Sequence, residues 1–209
     1  MGIFTDLKHE QALQDLEEQL GQVRAERNQL LARLEETQEL VRHLDQERDL
    51  LLEALAQMRP GFGPKELGEI LMGICFKPLG LACFYVARAD WERDQLQFIL
   101  YHEGGRFRDH PSRSLSSRAG LSERVLSDRR PLYIRTMEEG LASGSLLTAA
   151  EQATGLIPHS WYGVPLGWGP RPWGLMSFQS FQTDAFSERR RRVMDGLAAL
   201  LSTCLDQAP

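Results

Sequence analysis

The 209-residue chain has no proline before Pro60. That absence leaves nearly sixty residues with nothing to interrupt a helix, since proline is the strongest breaker of a helix interior. Cysteine is scarce: Cys75, Cys83 and Cys204 are odd in number, widely spaced and set among apolar neighbours. Such usage suits a reducing compartment, where buried thiols serve as small hydrophobes. No apolar run approaches the length of a membrane span, and the N-terminus lacks the basic-then-apolar order of a signal peptide. The expectation is a cytoplasmic protein with no membrane partner. Positive charge is not in excess either. Residues 1–58 carry 13 acidic and 6 basic side chains, and residues 59–209 carry 16 and 18, for a net −5. Neither half has the basic balance of a dedicated nucleic-acid binder, so nucleic acid is not an expected partner. The five histidines (His9, His43, His102, His110, His159) show no metal-ligand spacing, and no Ser or Cys can be matched with a His and a carboxylate. No cofactor, metal or catalytic residue is therefore expected, and the chain is read as a non-enzyme.

What is present is a heptad. With Leu13 at position a, the a/d series runs Leu13, Leu16, Leu20, Val23, Arg27, Leu30, Leu34, Thr37, Val41, Leu44, Arg48, Leu51, Leu55 and Met58. Only Arg27, Thr37 and Arg48 are not apolar, a pattern that predicts a coiled coil rather than one face of a globular helix. At 1.5 Å per residue the rod would be roughly 65–70 Å long. A seam of this kind has nothing to bury against within its own helix, so it demands a partner. Arginines at two a positions can snorkel to water more easily from a dimer than from a larger bundle, which makes a parallel homodimer the expected state. Leu31 and Leu52 at e and Leu40 at g leave the flanking charge pairing thin, so the seam leaves an antiparallel pair or a larger bundle open.

Arg59-Pro-Gly-Phe-Gly-Pro64 then stops the helix. Beyond it, 65–76 reads as a helix, and 81–87 and 95–101 as strands joined by a turn. A short strand is expected near 114–116, a helix over 121–127 and a strand over 131–135. Helical turns are expected around 146–153, a hairpin over 161–168 and 172–180, and a closing helix from Ser187. That helix would carry Val193, Met194, Leu197, Leu200, Leu201 and Leu205 inward, with Ser187 as its N-cap. Hairpins dominate, so the sheet should be antiparallel, with the terminal helices on one face and the loop-rich middle on the other.

Three stretches resemble the GAF domain, a sensory module related to PAS. They are Gly120-Leu-Ser-Glu-Arg-Val-Leu-Ser-Asp-Arg-Arg-Pro-Leu-Tyr-Ile134, the pair Ser160-Trp-Tyr-Gly-Val-Pro-Leu166 and Gly174-Leu-Met-Ser-Phe-Gln-Ser180, and the closing segment 185–199. The resemblance implies an α+β fold: a long N-terminal coiled-coil helix (1–59), a Pro/Gly linker (60–64) and a GAF-like domain (65–209) whose central antiparallel sheet is flanked by helices. It also implies dimerisation through terminal helices and a pocket on the opposite face, expected near Phe84, Tyr101, His102, Tyr133, His159, Tyr162 and Met176. The departures bear on function. The Asn-Lys…Phe…Asp-Glu signature of cyclic-nucleotide members is missing, and no Cys adjoins a His as in bilin-binding members. Free methionine sulfoxide reductases need cysteines in pocket loops, whereas those here fall in predicted helices and a strand. Most signalling members precede an output domain; this sequence ends at Pro209, which makes the rod the expected route for a signal.

Arg106, Arg108, Arg113 and Arg118 crowd one polar segment, where an anion-contacting surface competes with the preferred reading of a solvated loop. Arg189–Arg192 splay around a helix, and one of them should pair with Glu188 or Asp195. Trp161, Tyr162, Trp168, Trp173, Phe178 and Phe181 gather in the last hairpin and are read as core, with Trp168 and Trp173 marking a contact surface if exposed. The function expected is a regulatory protein responding to a small-molecule effector or protein partner, with a ligand-free scaffold or an Arg-loop nucleic-acid binder as alternatives.

Overall fold

The computed structural model describes residues 3–116, 120–145, 155, 157–167 and 171–206, with side chains at residue 11 and, within these ranges, from residue 13 to residue 205. Arg118, Trp168 and the helical turns expected at 146–153 lie outside these residues. The chain divides into two compact units, residues 1–46 and 47–209.

The first unit is helix alone, the greater part of α1 (Ile3–Gln57). Its a/d residues are all exposed, from Leu13 and Leu16 at 62% to Leu34 at 52% and Val41 at 49%. Leu31 and Leu40, beside the seam, are exposed as well.

The second unit begins with the last turns of α1, earlier than the expected residue 65. There the buried residues are Leu50, Ala54 and Met58, while Leu51 packs its Cδ2 over Gly196 of the closing helix. Heptad positions c and g have replaced a as the buried face. Met58, expected at the intermolecular seam, is therefore buried in its own domain and Leu51 half-buried there, while Arg48 and Leu55 stay exposed. After the break come α2 (Pro64–Leu71), extended by a π turn over Met72–Phe76, and strands β1 (Cys83–Asp90), β2 (Gln95–Glu103), β3 (Arg106–Phe107) and β4 (Arg113–Ser114). Helix α3 (Leu121–Asp128), β5 (Leu132–Ile134), α4 (Met137–Ala142), the hairpin β6 (Ser160–Leu166) and β7 (Gly174–Ser180), and α5 (Glu188–Asp206) complete the unit.

Among the described residues the sheet has seven strands, ordered β3-β2-β1-β7-β6-β5, with β4 pairing the start of β2 and every pair antiparallel. The apolar residues of β6 and β7 run without alternation because both faces are covered: every residue of β7, and all but Pro165 in β6, is buried. One face carries the end of α1, α2 and α5. α5 starts where Ser187 Oγ accepts from the Arg190 N–H, and it buries Val193, Met194, Leu197, Leu201 and Leu205, with Leu200 half-buried. Each fully buried leucine contributes about 1.5–3 kcal/mol. Among the four arginines, Arg192 pairs with Glu188 at 2.6 Å. The other face carries α3, through Leu121, Val125 and Leu126 against Tyr85, Ala87, Leu96, Ile134 and Leu175. No described helix is long and apolar enough to cross a membrane.

Candidate functional site

Register decides which side chains share a face, because directly opposed residues of neighbouring strands point the same way. Phe84 pairs with His102 and with Phe178; Tyr162 pairs with Phe178 and Tyr133; Met176 pairs with Val164 and Val86. Phe84, His102, Tyr133, Tyr162 and Met176 thus all lie on the face covered by α1, α2 and α5. They were expected in a pocket on the opposite face, and they are core. Tyr101 pairs with Tyr85 and belongs to the α3 face, while His159 is an exposed residue at the sheet margin, its Nδ1 3.4 Å from Thr183 Oγ1. The seven expected residues do not form one site.

His102 is the unusual member of the helical side. It is 1% exposed, stacked on Phe84 and met edge-on by Phe76 and Phe107 at centroid distances of 4.8 and 5.3 Å. Burial lowers its pKa, so the imidazole sits neutral in an aromatic box. On the same face of the sheet, Tyr162 donates to Asp195 at 2.7 Å, and burial raises both groups.

The polar interior of the α3 face is built around Tyr85. Its hydroxyl lies 2.9 Å from Ser122 Oγ, and burial raises its pKa against the opposing pull of Ser122 and the Arg113 charge. Arg113, on the two-residue β4, donates to Ser122 Oγ at 3.0 Å and to Glu123 Oε2 at 3.3 Å. Its Nε approaches Glu123 Oε1 to 3.1 Å, a distance that makes an ion pair although the angle is too poor for a hydrogen bond. Glu123 is 9% exposed, and burial raises its carboxyl pKa while Arg113 lowers it. The same guanidinium stands over the Phe98 ring, and His110 leans on Phe98 and Tyr101 at 4.2 and 4.6 Å. Trp161 lies over Gly163, where an added Cβ would run into the indole ring, so only glycine lets that ring sit on the sheet.

A cleft of about 270 Å³ opens at the edge of α3, between Trp91, Leu115 and Ser116 on one side and Glu123, Arg124, Leu126 and Ser127 on the other. Glu123, the acidic partner of Arg113, is part of that second wall. That wall can hold a donor or a charged group of a ligand, and Trp91 and the two leucines can cover an apolar body. Arg113 thus faces inward, and among the described arginines of that polar segment Arg106 and Arg108 are the exposed ones. Among the described residues no group of three or more His, Cys, Asp or Glu could hold a metal ion. All three cysteines are buried; Cys75 donates to Leu71 O, and burial raises its pKa to about 12. Tyr85, Ser122, Glu123 and Trp161 were not singled out as site residues from sequence. The one available sign was the parity of Tyr85 with Tyr101 across the first hairpin.

A search among curated proteins finds no match. Among solved structures, the chain resembles the GAF domain from an Acinetobacter phosphoenolpyruvate-protein phosphotransferase, with 18% identity, a TM-score of 0.61, and 78% of this chain and 92% of that one covered. It also resembles the nlh2 GAF domain of A. aeolicus in an inactive state (14% identity, TM-score 0.56, 77% and 96% covered). A third likeness is to the reduced form of fRMsr from Staphylococcus aureus (12% identity, TM-score 0.53, 76% and 94% covered). At these identities the likeness is one of fold. The GAF domain family profile matches residues 35–205, most of the sequence and most of the elements described above, and the chain belongs to the GAF domain family.

Proposed function

We propose that this protein is a non-catalytic regulatory module, in which the GAF domain takes up a small molecule or a protein partner and α1 pairs two copies. The observation that carries the reading is the seam: the apolar a/d residues from Leu13 to Leu44, all within the first unit, are each about half or more exposed. An apolar stripe of that length is an interaction surface. The effector site is the cleft beside α3, where Glu123 and Arg124 offer charge on one wall and Trp91 an apolar surface on the other. Although one structural relative carries the name of a reductase, the thiols here are buried, and burial raises Cys75 and Cys204, which supports a non-catalytic role. A reducing, cytoplasmic setting agrees with free thiols.

Native mass spectrometry of the whole chain, combined with thermal-shift measurements against a panel of metabolites, tests the proposal. A dimer stabilised by one class of compound supports the sensor. A dimer that no compound stabilises turns the reading into a scaffold, and a monomer refutes both.

A further inference from the structure

Along α1, between Val23 and Leu34, the helix surface carries a recess of about 310 Å³ lined by Val23, Glu26, Arg27, Leu30, Leu31 and Leu34. In a two-stranded coiled coil each seam side chain enters a hole made by four residues of the facing helix. Residues at i, i+3, i+4 and i+7 enclose such a hole, because they are neighbours on the helix surface. Val23, Glu26, Arg27 and Leu30 enclose one, and Arg27, Leu30, Leu31 and Leu34 enclose the next. The six lining residues are these two holes together.

The holes differ in chemistry. The first has a carboxylate, Glu26, in its wall; the second is walled by Leu30, Leu31, Leu34 and the aliphatic stem of Arg27. In a parallel, in-register pair, a faces a and d faces d. The side chain entering the acidic hole is then Arg27 of the second copy, and the one entering the apolar hole is Leu30 of the second copy. Each finds its complement. An antiparallel pair sets a against d, so the entering arginine meets an e residue in the wall instead. Those e residues are Glu17, Arg24, Leu31, Gln38, Asp45 and Leu52. The register that brings Arg27 to Glu17 leaves Arg48 beyond the facing heptads, and the one that brings Arg27 to Asp45 sets Arg48 against Arg24. In the parallel pair both arginines follow an acid at g, Glu26 and Glu47.

We infer that two copies pair parallel and in register, with Arg27 of each copy clasped by Glu26 of the other. This rests on the rod-mediated pairing proposed above. Glu47 already meets Arg189 of its own chain at 3.2 Å, so the Arg27 layer is the cleaner of the two. Among the described residues Arg27 otherwise makes an exposed bond to Asn28, at 2.9 Å, which a seam contact replaces.

Charge reversal on the full chain tests the inference. Glu26→Arg and Arg27→Glu each set like charges against each other in a homodimer and should weaken it about five-fold, whereas the mixed dimer regains two opposite pairs. Native mass spectrometry after subunit exchange should therefore find the mixed dimer well above its statistical half. Leu34→Cys should also oxidise to an interchain disulfide, because Leu34 faces its own counterpart only in this arrangement and the native cysteines are buried. Statistical mixing, or a dimer in which Leu34→Cys does not cross-link, overturns the orientation and leaves the pairing intact. A monomeric wild-type chain overturns both.

Discussion

Replacing Arg113 with Ala should strand Glu123. The carboxylate is 9% exposed, and Arg113 is the cation beside it, with its own side chain 28% exposed. Breaking a buried pair by removing one partner costs about 3–5 kcal/mol; because Arg113 keeps part of its side chain in water, about 2–3 kcal/mol is the expected figure here. For a domain of this size that is a fall in Tm of roughly 5–10 °C. The deficit must depend on pH. Burial already raises the Glu123 pKa above its ordinary 4.5, and Arg113 opposes the rise. Without the arginine, the folded state holds a proton over a wider window than the unfolded chain does. A raised carboxyl stabilises below the unfolded pKa and loses that stabilisation as pH rises through the folded value. The gap between wild type and variant should thus be full at pH 7.5 and close as the pH falls toward 4.5. Urea denaturation at a series of pH values reads it directly, and Arg113→Met combined with Glu123→Leu should recover most of the loss. A gap of the same size at every pH would show that Arg113 acts by packing on Phe98 rather than by charge.

Two further outcomes probe the two faces of the sheet. Gly163→Ala must displace the Trp161 indole and should cost about 1–3 kcal/mol, with a change in tryptophan fluorescence; an unshifted melting curve and spectrum would mean the ring has room the structure does not give it. On the helical face, His102 has a lowered pKa, so the unfolded chain takes up a proton that the folded one refuses. Stability should fall as pH drops below about 6.5, and His102→Phe should remove that part of the slope; identical slopes for variant and wild type between pH 7.5 and 5.5 would refute a neutral buried imidazole.

The order of elements was legible because each rests on a local pattern: a breaker at Pro60–Pro64, a cap at Ser187, and apolar segments around Gly- and Pro-rich turns. The two-residue β3 and short α4 were not anticipated, although Thr136 followed by Glu139 is a start signal: Thr136 Oγ1 accepts from the Glu139 N–H and Glu139 Oε2 from the Arg135 N–H. Site residues were harder for a physical reason. β1 is buried on both faces, so its apolar run shows no alternation, and nothing within it says whether Phe84 or Tyr85 faces α3; only pairing with β2 and β7 does. Arg113 looked like one more loop arginine because its partner Glu123 lies ten residues away across a segment of different structure. The heptad continues in sequence to Met58 while the buried face turns to Leu50 and Ala54, an outcome set by what α1 meets rather than by its own pattern.

A seam of α1 that holds two copies together must fail when charged, and the solution mass of Leu30→Asp/Leu34→Asp/Leu44→Asp beside wild type reads that failure. Six charges forced into the seam, and six leucines lost from it at about 1–2 kcal/mol each, exceed what a dimer of ordinary affinity can absorb. Light scattering should give twice the mass of one chain for wild type and a single chain for the variant, with the GAF domain melting as before. A variant that stays dimeric would place the contact in the domain and rule out the seam as what joins the copies.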